Sequence, residues 1–145
     1  MSEEKVKVKV THLTKKFGDL LVLDDISFNV REGEFLCIVG PTGCGKTTFL
    51  NSLTKLYDIT AGEILVNGEP VDLKKHNIAY IFQEYSTFPW LKVEENIRYG
   101  LKLKKLPEDV IRERTDEVIR MVGLEEFRNY YPDQLSASML QRVVI

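Results

Sequence analysis

Cysteine is scarce in this chain of 145 residues: only Cys37 and Cys44 occur. Two are too few for the disulfide framework of a small secreted domain, and a reduced, cytosolic setting is the default for such a pair. No charge of one sign dominates either. The formal net charge is −2, so there is no basic excess for nucleic acid and no block of like charge to form a tail. Long apolar runs are missing as well. FLCIV at 35–39 is far shorter than the ~20 residues a membrane-spanning helix needs, so any membrane connection must run through a partner. The start, MSEEKVKVKV, lacks the apolar stretch of a signal peptide. No internal repeat and no low-complexity segment occurs. What remains is an ordinary globular composition, 43% hydrophobic and 29% charged, in a length that suits one domain with a real core.

Residues 5–10, KVKVKV, alternate strictly, with Val6, Val8 and Val10 on one face and Lys5, Lys7 and Lys9 on the other. This predicts a half-buried strand with a solvated lysine face; a nucleotide-binding role for the lysines is the other reading. DDISFNV at 24–30 predicts a second strand. EFLCIVG at 34–40 is apolar on both faces, the pattern of a central strand covered on both sides. KTTFLNSLTKLY, from Lys46, suits a helix. GEILVNGEPV follows, with Asn67-Gly68 as a turn, and IAYIF at 78–82 predicts another apolar strand. After Gln83 the character becomes helical. Val93, Ile97 and Leu101 recur at i, i+4 and i+8. LPEDVIRERTDEVIRMVG predicts the clearest helix, with Pro107 at its first position, Glu108 and Asp109 complementing the dipole, and Gly123 ending it.

Residues 40–47, GPTGCGKT, match G-x-x-x-x-G-K-[ST] and stand between the apolar run and the predicted helix. Gly40, Gly43 and Gly45 let the backbone turn tightly, so that successive N–H groups, including those after Pro41 and Thr42, face phosphate oxygens. The helix N-terminus adds partial positive charge. Lys46 reaches toward β- and γ-phosphates, Thr47 offers its hydroxyl to Mg²⁺, and Thr48 lies near the α-phosphate. A chance glycine-rich turn is the bland alternative, and the strand-loop-helix context counts against it. Cys44 sits at a variable position of the loop and reads as incidental, since nothing in the sequence nearby resembles a base.

With this loop placed, the chain resembles the ATP-binding subunit of an ABC transporter. Four features carry the likeness over essentially the whole length. Phe17, in KKFG, stands where the family has an aromatic that stacks on adenine; a core or surface aromatic is the alternative. GPTGCGKTT is the Walker A motif. Gln83, in IFQE, resembles the Q-loop glutamine that touches Mg²⁺ and the attacking water. YPDQLSASMLQRVVI falls at the signature helix. STFPWLKVEENI is similar to the segment after the Q-loop in importers of nitrate, sulfonate or taurine type, where a Phe-Pro-Trp run helps contact the membrane subunit; Trp90 packing into the helical part is the equal alternative. The resemblance implies an α/β, partial P-loop NTPase (ABC ATPase) fold: an antiparallel β subdomain plus an incomplete parallel core sheet over 1–83, then a helical subdomain over 84–145. It implies ATP and Mg²⁺ as cofactors, with Thr47 and Gln83 toward the metal. The partners implied are a transmembrane permease subunit and a second ATP-binding subunit, with no nucleic acid. The location implied is cytoplasmic, peripheral on the inner face of the cell membrane.

The signature departs from the family pattern. L-S-G-G-M-Q-Q-R becomes L-S-A-S-M-L-Q-R. Ser136 keeps the hydroxyl that reaches a partner's γ-phosphate, or else it merely caps a helix. Ala137 and Ser138 replace two glycines, and a Cβ there crowds an approaching phosphate. The family's Walker B Asp, catalytic Glu and switch His have no counterpart in these residues; His12 precedes Walker A and His76 precedes the Q-loop. The expectation is a chain cut within its signature helix, by frameshift, premature stop or fragmentation, and deficient in hydrolysis alone. The alternative is a remnant that binds nucleotide or the membrane subunit without hydrolysis. A small stand-alone kinase is a third reading, which lacks a suitable carboxylate strand. If the family's arrangement carries over, 34–39 and 78–82 do not pair with each other and leave apolar edges open.

Overall fold

The computed structural model describes residues 5–145, which fall into two compact units, one ending at Tyr80 and one covering Ile81–Ile145. In the first unit, β1 (Val6–Phe17) and β2 (Leu20–Arg31) form a long antiparallel hairpin. β3 (Ala61–Val66) pairs antiparallel with the other edge of β1, and β4 (Glu69–Pro70) extends β3, giving the order β2-β1-β3-β4. Asn67 and Gly68 both take positive φ, 53° and 79°, the turn a two-residue hairpin loop needs to match strand twist.

Strict alternation would place Val10 and Leu13 on opposite faces, yet both are buried, at 2% and 0% exposure. A register shift between them resolves this: His12 takes φ 49° and resets the phase of the strand. Gly62, opposite, makes the shift possible. A Cβ on Gly62 would stand 2.2 Å from the His12 carbonyl oxygen. The core of this unit is Val10, Leu13, Leu23, Phe49, Ile64, Val66 and Val71, and each such side chain contributes roughly 1.5–3 kcal/mol by leaving water.

Helix α1 (Lys46–Leu53) lays Phe49 against Phe28 of β2, with ring centroids 5.4 Å apart. It stops short of the Tyr57 expected from the sequence. Thr54 turns its hydroxyl back to donate to the Leu50 carbonyl, Lys55 takes φ 54°, and the N–H groups of Leu56 and Tyr57 both donate to the Asn51 carbonyl. Residues beyond the cap are thereby folded onto the helix end.

The antiparallel β part and the helical part are present as expected. The two segments expected as strands of a parallel core, 34–40 and 78–82, hold no strand ladder. A strand is a property of a pair, and no strand among the described residues lies beside them. Apolar residues on both faces then stay in water: Phe35 is 92% and Val39 84% exposed, and Leu36 and Ile38 are exposed as well.

In the second unit, α2 (Val93–Leu103), α3 (Glu108–Met121) and α4 (Ala137–Val144) enclose Val93, Ile119 and Leu124. Ile111, Thr115 and Ile119 are the buried stripe of α3, at i, i+4 and i+8. Pro107 is the N-cap, one position ahead of that expected, and Gly123 follows the helix end with φ 65°. Arg128 ties the unit together by donating to Glu94 at 3.1 Å and to Asp116 at 2.8 Å. Those two carboxylates hold its guanidinium above its ordinary pKa. The backbone repeats the link, since the Val93 and Glu94 N–H groups donate to the Tyr130 and Arg128 carbonyls.

Candidate functional site

The loop 40–48 belongs to the first unit. Gly43 and Gly45 have φ of 84° and 95°, a region that side chains rarely enter. Gly45 is also the N-cap of α1, and the first helical bond runs from the Phe49 N–H to the Gly45 carbonyl, at 2.8 Å. The N–H groups of Lys46, Thr47 and Thr48 lie ahead of that bond, so helix geometry leaves them available to an anion. No acidic residue occupies this first turn. The Lys46 ammonium folds back over the loop and donates to the carbonyls of Gly40 and Pro41, each at 2.7 Å. Its charge is thus held at the mouth of the loop, where a polyphosphate would meet it.

Two contacts fix the loop on its scaffold. A Cβ on Gly45 would lie 2.8 Å from Leu23 Cδ2 and 3.1 Å from the Val22 carbonyl oxygen, so only glycine seats this close to β2. Beside it, Leu23, Ile26, Phe28, Leu36, Ile38 and Phe49 line an apolar cavity of about 480 Å³ that also reaches Cys44 and Lys46. Cys44 is exposed, with its Sγ 3.5 Å from Lys46 Nζ. Lys46 is a neighbour the sequence reading did not count.

Phe17 ends β1 and pairs with Leu20 across the hairpin. Val22 is two residues further along β2, roughly 7 Å at strand rise. Phe17 and the loop are therefore held on one hairpin. At 42% exposure Phe17 is no core residue. The Tyr57 ring meets it edge to face, at 5.4 Å and 87°. Lys15 Nζ stands over the Phe17 ring, 4.6 Å from its centroid, and 5.9 Å from that of Tyr57. Sequence reasoning missed Lys15 and Tyr57. Lys15 was legible as a neighbour at i−2 on the same strand face; Tyr57 gave no signal, because its contact spans forty residues of chain.

Gln83 and Ser136 belong to the second unit. Gln83 is exposed at a bend. Ser136 is the N-cap of α4, its hydroxyl accepting from the Met139 N–H at 3.4 Å and lying 3.1 Å from the Ser138 hydroxyl. The capping role is the one this geometry displays. Trp90 is 70% exposed and touches Phe88, which in turn meets Tyr99 at 4.5 Å. Among the described residues no three His, Cys, Asp or Glu side chains converge as metal ligands.

The sequence profile described as ABC transporter matches residues 23–145. The chain belongs to the ABC transporter family. Among curated proteins, it is 40% identical over 148 residues to the spermidine/putrescine import ATP-binding protein PotA of Bacteroides thetaiotaomicron, covering all of this chain and 32% of that protein. It is 38% identical to the Fe(3+) ions import ATP-binding protein FbpC 1 of Pectobacterium atrosepticum, covering 100% of this chain and 42% of that one. The chain thus spans about a third to two fifths of the length of these relatives. Among solved structures, cbiO1 from Clostridium perfringens, part of the ABC transporter complex cbiONQ, superposes with a TM-score of 0.84 at 28% identity, over 98% of this chain and 60% of that one. A dimeric ATP-binding cassette in a post-hydrolysis state, bound to ADP and Pi, superposes with a TM-score of 0.81 at 32% identity, over 94% and 66%. The fold of this ABC transporter chain is that of part of an ABC ATPase domain, and no helix among its described residues is long and apolar enough to cross a membrane.

Proposed function

We propose that this chain supplies the nucleotide-binding portion of an ABC-type import ATPase, holding ATP by its polyphosphate and its base. One observation carries the reading. The Lys46 ammonium is held by two carbonyls of a loop whose two glycines take left-handed φ and which leads into the N-terminus of α1. The cradle fits a polyphosphate: it is cationic, backbone-lined and free of first-turn acids. Residues 41–47 would wrap the β- and γ-phosphates, Thr48 would reach the α-phosphate, and Phe17 would stack on adenine. Bound Mg²⁺ would offset phosphate charge, with Thr47 as ligand; a metal-contacting role for Gln83, in the second unit, rests on the resemblance of IFQE to the Q-loop.

Coupling to transport runs through partners: a permease subunit and a second ATP-binding subunit, on the cytoplasmic face of the cell membrane. Exposed Trp90 beside Phe88 supports a docking role for the segment after the Q-loop. The same Phe-Pro-Trp run supports the nitrate, sulfonate or taurine type of importer, while the relatives' names favour import in general over any one solute. These 145 residues contain no apolar strand ending in Asp-Glu after the Q-loop. We infer that on their own they bind ATP without hydrolysing it. Phosphoryl transfer needs groups that position the metal and the attacking water.

Titration calorimetry with ATP tests the binding claim. Lys46→Ala removes a charge-assisted contact of about 1.5–3 kcal/mol, so ATP affinity should fall roughly 10- to 150-fold. Equal affinities would refute the assignment. Lys46-dependent phosphate release by the 145-residue chain would refute the claim that it does not hydrolyse.

A further inference from the structure

We propose that Tyr57 and Lys15 are positioning residues for the base, holding Phe17 as a one-sided shelf on which a purine stacks; this rests on the nucleotide-binding reading above. Phe17 sits at the end of a hairpin and is 42% exposed. A ring in that position would ordinarily sample several rotamers, and a base would have to order it on binding. Here the ordering is done beforehand. Tyr57 braces the ring at 87°, the edge-to-face arrangement that aromatic quadrupoles favour. Lys15 places its ammonium over the Phe17 ring at 4.6 Å, a cation–π contact. The same ammonium donates to the Asp58 carbonyl at 2.5 Å, which stops it from swinging away. One face of Phe17 is therefore taken by a cation, and the ring, 42% exposed, keeps open surface on which a base could stack.

The brace is itself anchored. The Leu56 and Tyr57 N–H groups donate to Asn51 O of α1, at 2.8 and 3.1 Å. On the far side, the Thr60 N–H donates to the Thr14 carbonyl, and the Lys16 N–H donates to the Thr60 hydroxyl, each at 2.9 Å. Helix α1 thus starts at the phosphate loop and ends in the segment that supports Phe17. The shelf and the loop are joined twice, once through β2 at Val22 and Leu23 and once through α1. Preorganising both ends lowers the entropy lost on binding a ligand that must engage both.

A probe without a base separates this inference from the one beneath it. ATP and inorganic tripolyphosphate are titrated into the 145-residue chain and its variants. Tyr57→Leu and Lys15→Met should each weaken ATP binding about two- to ten-fold and leave tripolyphosphate binding unchanged. Tyr57→Phe, which keeps the ring, should restore ATP affinity. Unchanged tripolyphosphate binding also shows that the variants fold. ATP affinity unmoved by Tyr57→Leu, or tripolyphosphate affinity falling in step with it, overturns the shelf. A wild-type chain that binds tripolyphosphate as tightly as ATP removes Phe17 from the site, and the shelf with it. A chain that binds neither ligand overturns the nucleotide reading as a whole, and this inference with it.

Discussion

Replacing Gly45 by alanine should destabilise the first unit, and by more than the same change at Gly43. Both glycines lie at positive φ, 95° and 84°, so alanine at either position carries backbone strain of roughly 1–3 kcal/mol. Their surroundings differ. A Cβ at Gly43 meets nothing within 4 Å, whereas one at Gly45 meets Leu23 Cδ2 at 2.8 Å and the Val22 carbonyl oxygen at 3.1 Å. Leu23 is buried at 2% exposure and, although it lines the apolar cavity, must shift its Cδ2 to admit the new methyl; the carbonyl is sheet backbone. Overpacking of this kind adds about 1–3 kcal/mol. The totals are then about 2–6 kcal/mol for Gly45→Ala and about 1–3 for Gly43→Ala, against a domain margin of only ~5–15 kcal/mol. Urea unfolding followed by amide exchange in β1 and β2 is the suitable assay, because the single tryptophan, Trp90, reports on the other unit. Equal costs at the two positions would refute the claim that the loop is wedged against β2. No cost at either would refute the left-handed loop itself.

Gly40→Ala places a Cβ 2.7 Å from Cys44 Sγ, so its cost should vanish in the Gly40→Ala/Cys44→Ala double variant, as read by a double-mutant unfolding cycle. In the second unit Leu124→Ala, at 0% exposure between Val93 and Ile119, should cost about 2–5 kcal/mol, seen as an earlier Trp90 fluorescence transition in urea. Asp72 is held below the ordinary carboxylate range by the Lys75 and Lys74 N–H groups, and Glu69 by the Lys75 ammonium. A depressed folded pKa gives stability that is present above the unfolded pKa and is lost as pH falls through the folded one. The stability gap between wild type and Asp72→Asn should therefore hold from neutral pH to the acid edge of the carboxylate range and close below it in pH-dependent denaturation; a gap unchanged down to pH 2 would refute this.

The glycine turn ahead of α1, the turn at Asn67-Gly68 and the helices of the second unit were legible in the sequence, because each follows from local chemistry. Glycine at fixed spacing permits the loop, Asn-Gly takes the positive φ of a tight turn, and apolar residues at helical period declare a buried stripe. Phe17 and Lys46 could be named from their place in a motif. Tertiary structure decided what depends on partners distant in sequence. The hairpin register put Phe17 a short way along the sheet from the loop, Tyr57 and Lys15 came to rest against its ring, and the shift at His12 chose which β1 residues entered the core. It also decided that 34–40 and 78–82, strands by composition, carry no ladder. Composition can make a segment fit to be buried between neighbours, but a strand exists only where another strand supplies the opposing N–H and C=O groups.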